Sequence, residues 1–170
     1  SPSHLELFEQ PGMKRAIWLL FLGFVIRVLI VLVTEAQEQD SLVKYTDVDY
    51  SVVSDGARHL FAGQSPFLRA TYRYTPFLAA LLLPCTLWPS AGKILFAIAD
   101  IVVAVLTFLV TRKQYSVREK SENADASSQG RDNFALACAA LWLFSPMTIN
   151  MSTRGSSDVL VIMFAQGCLY

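Results

Sequence analysis

No charge of either sign is in excess: fourteen Lys and Arg balance fourteen Asp and Glu. A global field that would steer nucleic acid or anionic ligands to the chain is therefore excluded. Cysteine is sparse and odd in number; Cys85, Cys138 and Cys168 all lie in apolar stretches. That pattern is no disulfide framework and no metal-ligand set, and it fits small buried hydrophobes. His4 and His59 have no second ligand at metal-binding spacing. Eight glycines form no phosphate-cradling loop, and no internal repeat is present. Soluble nucleotide-sugar or ATP chemistry has no seat here.

Apolar residues are abundant: 54% of the chain is hydrophobic and the mean hydropathy is +0.42. The excess is arranged in blocks. Residues 16–34 are apolar except for Gly23 and Arg27, and residues 94–111 form a second block containing Asp100. Each approaches the roughly 17–25 residues that cross a bilayer. Residues 134–151, broken by Ser145-Pro146, read as a third span. Residues 156–170 read as the start of a fourth that is cut short, so the chain is expected to be the front part of a longer polypeptide. Lys14 and Arg15 before so long an apolar core point to a signal anchor rather than a cleaved signal peptide. The fold class expected is all-α, a polytopic transmembrane helical protein with one membrane domain.

Basic residues orient it. Lys14 and Arg15 place the first span's start in the cytosol. Arg112, Lys113, Arg118 and Lys120 follow the second span and mark residues 112–133 as a cytosolic loop, with 121–130 polar enough to be disordered. Residues 35–90 then form an extracytoplasmic loop. This parity requires that Pro76–Pro89, about 14 residues with three prolines, lie at the interface or re-enter rather than span.

Two polar clusters then meet on one membrane face. The first, Thr46-Asp47-Val48-Asp49-Tyr50, opens a helix expected to run to Ala62 and to end at Gly63. Capping alone explains acids at a helix start. Two of them at a bilayer surface also suit acid–base chemistry, one carboxylate acting as general base on a hydroxyl while the other orients the acceptor or holds a divalent cation. The second cluster runs from Asn150 to Asp158. Ser156 or Ser157 is able to cap the next helix, but capping does not call for Arg154, and Arg beside a helix start is a phosphate site. Asn150-Met151-Ser152 matches a glycosylation sequon too close to the membrane to be used. Between the clusters, Arg69 and Arg73 either snorkel to headgroups or, on one helical face, grip a lipid phosphate. Arg27 and Asp100 lie inside spans, where a charge is a functional candidate; a base from outside this chain would be the plain partner for Asp100.

The strings Tyr45-Thr46-Asp47-Val48-Asp49-Tyr50, Gly63-Gln64-Ser65-Pro66, residues 68–76 and residues 146–158 together resemble the catalytic subunits of GPI mannosyltransferase I. The likeness covers nearly the whole chain from the first span, apart from about 115–132. It implies a GT-C glycosyltransferase of the endoplasmic reticulum membrane with a lumenal active site. Such an enzyme moves the first mannose, in α1,4 linkage, from dolichyl-phosphate-mannose to glucosaminyl-phosphatidylinositol. The family's acidic pair falls on Asp47 and Asp49, with Asp49 expected to be the base. Arg69, Tyr72, Arg73, Tyr74, Arg154, Ser156, Ser157 and Asp158 are the expected substrate-binding residues. No resident cofactor or metal is expected with certainty; the donor is the lipid-linked sugar, and a divalent cation at the Asp pair is the one metal expectation. Family members are over twice this length, so residues 1–170 alone are expected to be inactive. A small type I membrane partner that stabilises the catalytic subunit is implied as well. Two rival readings stand apart: a transporter lined by Arg27 and Asp100, and a non-enzymatic assembly subunit.

Overall fold

Apolar length and turn chemistry dictate the elements in the computed structural model, which describes residues 11–38, 44–122 and 128–170. The unbroken apolar run after Lys14 forms α1, Pro11–Glu38. The acidic start and glycine stop give α2, Val48–Phe61, with Asp47 as its N-cap and Gly63 beyond its end at φ +73°. A 3-10 turn, Pro66–Leu68, precedes a short helix α3, Pro76–Leu81, and a second 3-10 turn, Leu83–Thr86. Then come the long α4, Ala91–Glu122, followed by α5, Ser128–Phe144, α6, Pro146–Arg154, and α7, Asp158–Leu169. No strand occurs among the described residues.

Two helices, Lys14–Glu38 and Ala91–Arg118, are long and apolar enough to cross a membrane. The expected third span bends by 51° between Phe144 and Pro146, because Pro146 cannot donate to the preceding turn. The chain is an all-helical, multi-pass membrane protein. Neither α3 nor the turn after it has the length to cross. Trp18, Phe21, Leu29, Leu32 and Val33 on α1 stay exposed, as expected of a face that meets lipid.

Two expectations are corrected. The loop expected at 112–133, with 121–130 disordered, is helical where it is described, since α4 continues to Glu122 and α5 begins at Ser128; Arg112 reaches Asp132 across the two helices at 2.8 Å. Residues 123–127 lie outside the described set. The partner of Asp100 is not outside this chain but is Arg27. The Arg27 Nε donates to Asp100 Oδ2 at 2.7 Å, and both side chains are fully buried. Trp142 Nε1 and Ser152 Oγ add bonds of 2.6 and 3.1 Å to the same carboxylate, while Arg27 Nη1 donates to the carbonyls of Gly23 and Leu143. One ion pair thus ties α1, α4, α5 and α6 together, and a buried pair survives only with such additional bonds.

Candidate functional site

Gly155 makes the site. It takes φ +90°, and its amide and that of Ser156 donate to the carbonyls of Ser152 and Met151. This double bond closes α6 and permits the left-handed residue that glycine alone adopts cheaply. The Arg154 carbonyl is left out of the α6 ladder and accepts the amide of Asp47 at 2.9 Å. Arg154 Nε donates to the Tyr45 carbonyl at 3.1 Å. The Tyr45 hydroxyl bonds Asn150 Oδ1 at 2.9 Å and Thr153 Oγ1 at 2.8 Å. Two segments over a hundred residues apart are thereby stitched along one edge.

Tyr50 fills the space beneath. Its ring lies where a Cβ on Gly155 would sit, and its hydroxyl donates to the Pro89 carbonyl at 2.6 Å and meets Cys85 Sγ at 3.5 Å. Burial and Cys85 push the Tyr50 phenol well above its ordinary value. It is a packing residue, with Phe96 edge-on to its ring.

The two acids do different work. Asp47 is held: its Oδ1 accepts the Asp49 amide at 3.2 Å, the N-cap bond of α2. Asp49 in the first turn is exposed. The Tyr74 hydroxyl faces Asp49, and burial together with the carboxylates of Asp49, Asp158 and Asp47 pushes this phenol up to about 12. Tyr74 therefore stays protonated as a hydrogen-bond donor.

Asp47 also lies where two cavities meet. One, of about 790 Å³, is an apolar groove between Thr107, Leu141, Trp142, Met147 and Ile162 that ends in Asp47, Arg154 and Ser156. Only Nε of Arg154 is bonded among the described residues, which leaves the planar end of the guanidinium for phosphate oxygens. The other, of about 650 Å³, is a polar basin with Glu35, Glu38, Lys44, Ser51, Arg58 and Lys93 around Asp47.

The remaining sequence-predicted residues separate. Ser156 Oγ accepts the Asp158 amide at 3.4 Å, whereas Ser157 makes no cap bond. Residues 69–73 form no helix, so Arg69 and Arg73 share no face. Arg69 approaches Asp55 at 3.2 Å, and Arg73 donates to the carbonyls of Ala70 and Tyr72. Tyr72 is a core residue, 1% exposed, against Gly56 and between Phe67 and Tyr74. These three line neither cavity. Among the described residues no three His, Cys, Asp or Glu side chains are grouped to hold a metal. A cation at Asp47 and Asp49 would draw on two carboxylates, one of them bonded to an amide through Oδ1.

Sequence reasoning missed Glu38 and Lys93, and the bonds they make to Thr46. Glu38 accepts the amide and hydroxyl of Thr46, and Lys93 Nζ donates to that hydroxyl at 2.6 Å. The available signal was a lysine three residues after Pro89-Ser90, where an apolar helix begins.

The model of a family described as GPI transamidase subunit PIG-U matches residues 21–170. Curated relatives named GPI mannosyltransferase 1 are also similar. That of Dictyostelium discoideum is 36% identical over 91% of this chain and 32% of its own length. That of Aspergillus oryzae is 38% identical over 97% and 36%, and that of Aspergillus fumigatus 44% over 79% and 30%. The chain thus spans about a third of the relatives' length. No solved structure matches it.

Proposed function

The chain belongs to the family that the PIG-U model describes, with relatives named GPI mannosyltransferase 1 along most of its length, and on that premise we propose that it carries the catalytic carboxylates of a GPI mannosyltransferase. The donor in this reading is dolichyl-phosphate-mannose, the acceptor glucosaminyl-phosphatidylinositol, and the site faces the lumen of the endoplasmic reticulum. A small type I membrane partner that stabilises the catalytic subunit belongs to the same reading.

The observation that carries it is the position of Asp47 between an apolar groove and a polar basin. A lipid-linked donor needs a groove for its chain and a cation for its phosphate; Thr107 to Ile162 supply the first and Arg154 the second. Asp47 departs from the expectation for Asp49. Its cap bond fixes Oδ1 and leaves Oδ2 to accept a proton, and it touches both cavities, whereas Asp49 lines neither. In the transfer, the acceptor hydroxyl gives its proton to Asp47 as its oxygen bonds the mannose anomeric carbon. The bond from that carbon to the phosphate oxygen breaks, and the phosphate leaves with the electron pair beside Arg154.

The family description favours a second reading, a subunit of a GPI transamidase, in which neither carboxylate would serve mannose transfer. Mannose transfer from radiolabelled donor by Asp47→Asn in the full-length protein separates the two. Loss at normal abundance, against a wild type that transfers, supports the transferase, and absence of transfer by the wild type itself supports the subunit.

A further inference from the structure

Lys93 is an unusual residue to bury. It is 2% exposed, in the first turn of α4, and among the described residues it forms no ion pair. Its ammonium donates to Thr46 Oγ1 at 2.6 Å and sits 5.8 Å from the centre of the Tyr50 ring. The charges that face it are the Glu38 and Glu35 carboxylates. Glu38 is spent on Thr46, whose hydroxyl stands between the two charges, and Glu35 is spent on the Trp88 indole. An ammonium has three donors, and one is used. A buried cation left with unfilled donors is costly, so a site that keeps one is built to receive an acceptor group.

The basin supplies the space. Lys93 is its most buried cation, Lys44 and Arg58 also line it, Arg58 paired with Asp55 at 3.1 Å, and Asp47 forms the wall shared with the apolar groove. The Ser54 hydroxyl on the same lining is buried and has no partner among the described residues. A second polar group therefore waits there independently of Lys93.

We propose that this basin binds the phosphodiester of the acceptor glycolipid, with Lys93 and Ser54 donating to its oxygens and Arg58 at the entrance. The assignment rests on the transferase reading, because it is the donor's lipid chain that takes the apolar groove and leaves the polar basin to the acceptor. The phosphate held at Lys93 anchors the acceptor on the far side of Asp47 from Arg154. Each substrate phosphate then has its own cation, and the two cations do not compete.

The test reads binding without transfer. In full-length protein in detergent, with Cys138 and Cys168 replaced by Ser, the exposed basin residue Ser51 is changed to Cys. Its labelling by a charged thiol reagent is followed with glycerophosphoinositol or farnesyl phosphate added. Glycerophosphoinositol is expected to slow labelling. Lys93→Met is expected to raise the concentration needed about ten- to a hundred-fold, the worth of one or two charge-assisted bonds, and Lys93→Arg to restore most of it. Unchanged labelling without ligand shows that the variant is folded. Stronger protection by farnesyl phosphate would give the basin to the donor and overturn the proposal. Equal protection of wild type and Lys93→Met, or none of either, would also overturn it. If glycerophosphoinositol protects while mannose transfer proves absent, the basin stands and the transferase reading falls.

Discussion

The amide of Asp47 donates to the carbonyl of Arg154 at 2.9 Å, so the acidic motif and the Arg-containing turn are one structural unit although 107 positions separate them. The bond needs α6 to end in a left-handed residue and needs Tyr50 to lie against that residue. Arg154 is thereby fixed at one mouth of the apolar groove and Asp47 beside it.

Gly155→Ala is expected to damage this unit far more than Gly63→Ala. Both glycines have positive φ, which costs another residue roughly 1–2 kcal/mol. A Cβ at Gly63 meets nothing, whereas one at Gly155 overlaps the Tyr50 ring, with Cγ 2.7 Å away. Thermal unfolding of the purified variants measures the difference. Gly63→Ala should stay within the backbone cost, and Gly155→Ala should exceed it severalfold.

Removing one member of the Arg27–Asp100 pair is expected to be severe, and removing both mild. Arg27→Leu leaves a buried carboxylate without its cation, at about 3–5 kcal/mol. Arg27→Leu with Asp100→Leu restores most of the stability, as apolar replacements of buried pairs do. Detergent-solubilised thermal stability checks this. If the double variant is stable and transfers mannose, the pair is architectural, which tells against a transporter with these charges on its path.

Alkaline pH should unfold the protein in part through Tyr74. Its phenol is held up to about 12 against an ordinary value of about 10. The folded state keeps a proton that the unfolded state loses, so stability is full below pH 10 and falls as pH rises from there toward 12. Tyr74→Phe removes that contribution. Denaturant midpoints measured on either side of pH 10 should fall less steeply in Tyr74→Phe than in the wild type.

Topology has its own test. Thiol reagent that cannot cross membranes should label Ser51→Cys only when sealed microsomes are opened, and Gln129→Cys without opening. Both positions are exposed. The reverse pattern would turn the site to the cytosol.

What could be read from the sequence was what local chemistry decides. The start of α2 at an acidic cap, its end at Gly63 and the break before Pro146 follow from single residues. The meeting of residues 46–50 with 150–158 followed from span parity. The Arg27–Asp100 pair was not legible, because its members are 73 residues apart and nothing local distinguishes a partner in this chain from one elsewhere. Arg69 and Arg73 would share one face only in a helix, and Tyr72 entered through the resemblance alone. Pro66 and Pro76 bracket that stretch, and the chain takes turns there, so Tyr72 goes to the core. The shared position of Asp47 and the burial of Lys93 depend on three elements at once, and no one-dimensional pattern carries them.

The most direct measurement is mannose transfer from radiolabelled dolichyl-phosphate-mannose in microsomes whose sole copy of the full-length enzyme carries Asp47→Asn or Asp49→Asn. Asparagine keeps the cap, since it caps about as well as aspartate, and removes the proton acceptor. The result expected is a loss of about 10²–10⁴-fold for Asp47→Asn at normal abundance, the usual range for general-base assistance, with a smaller loss for Asp49→Asn. Near-normal transfer by Asp47→Asn would contradict the account and leave the helix cap as the whole role of that residue.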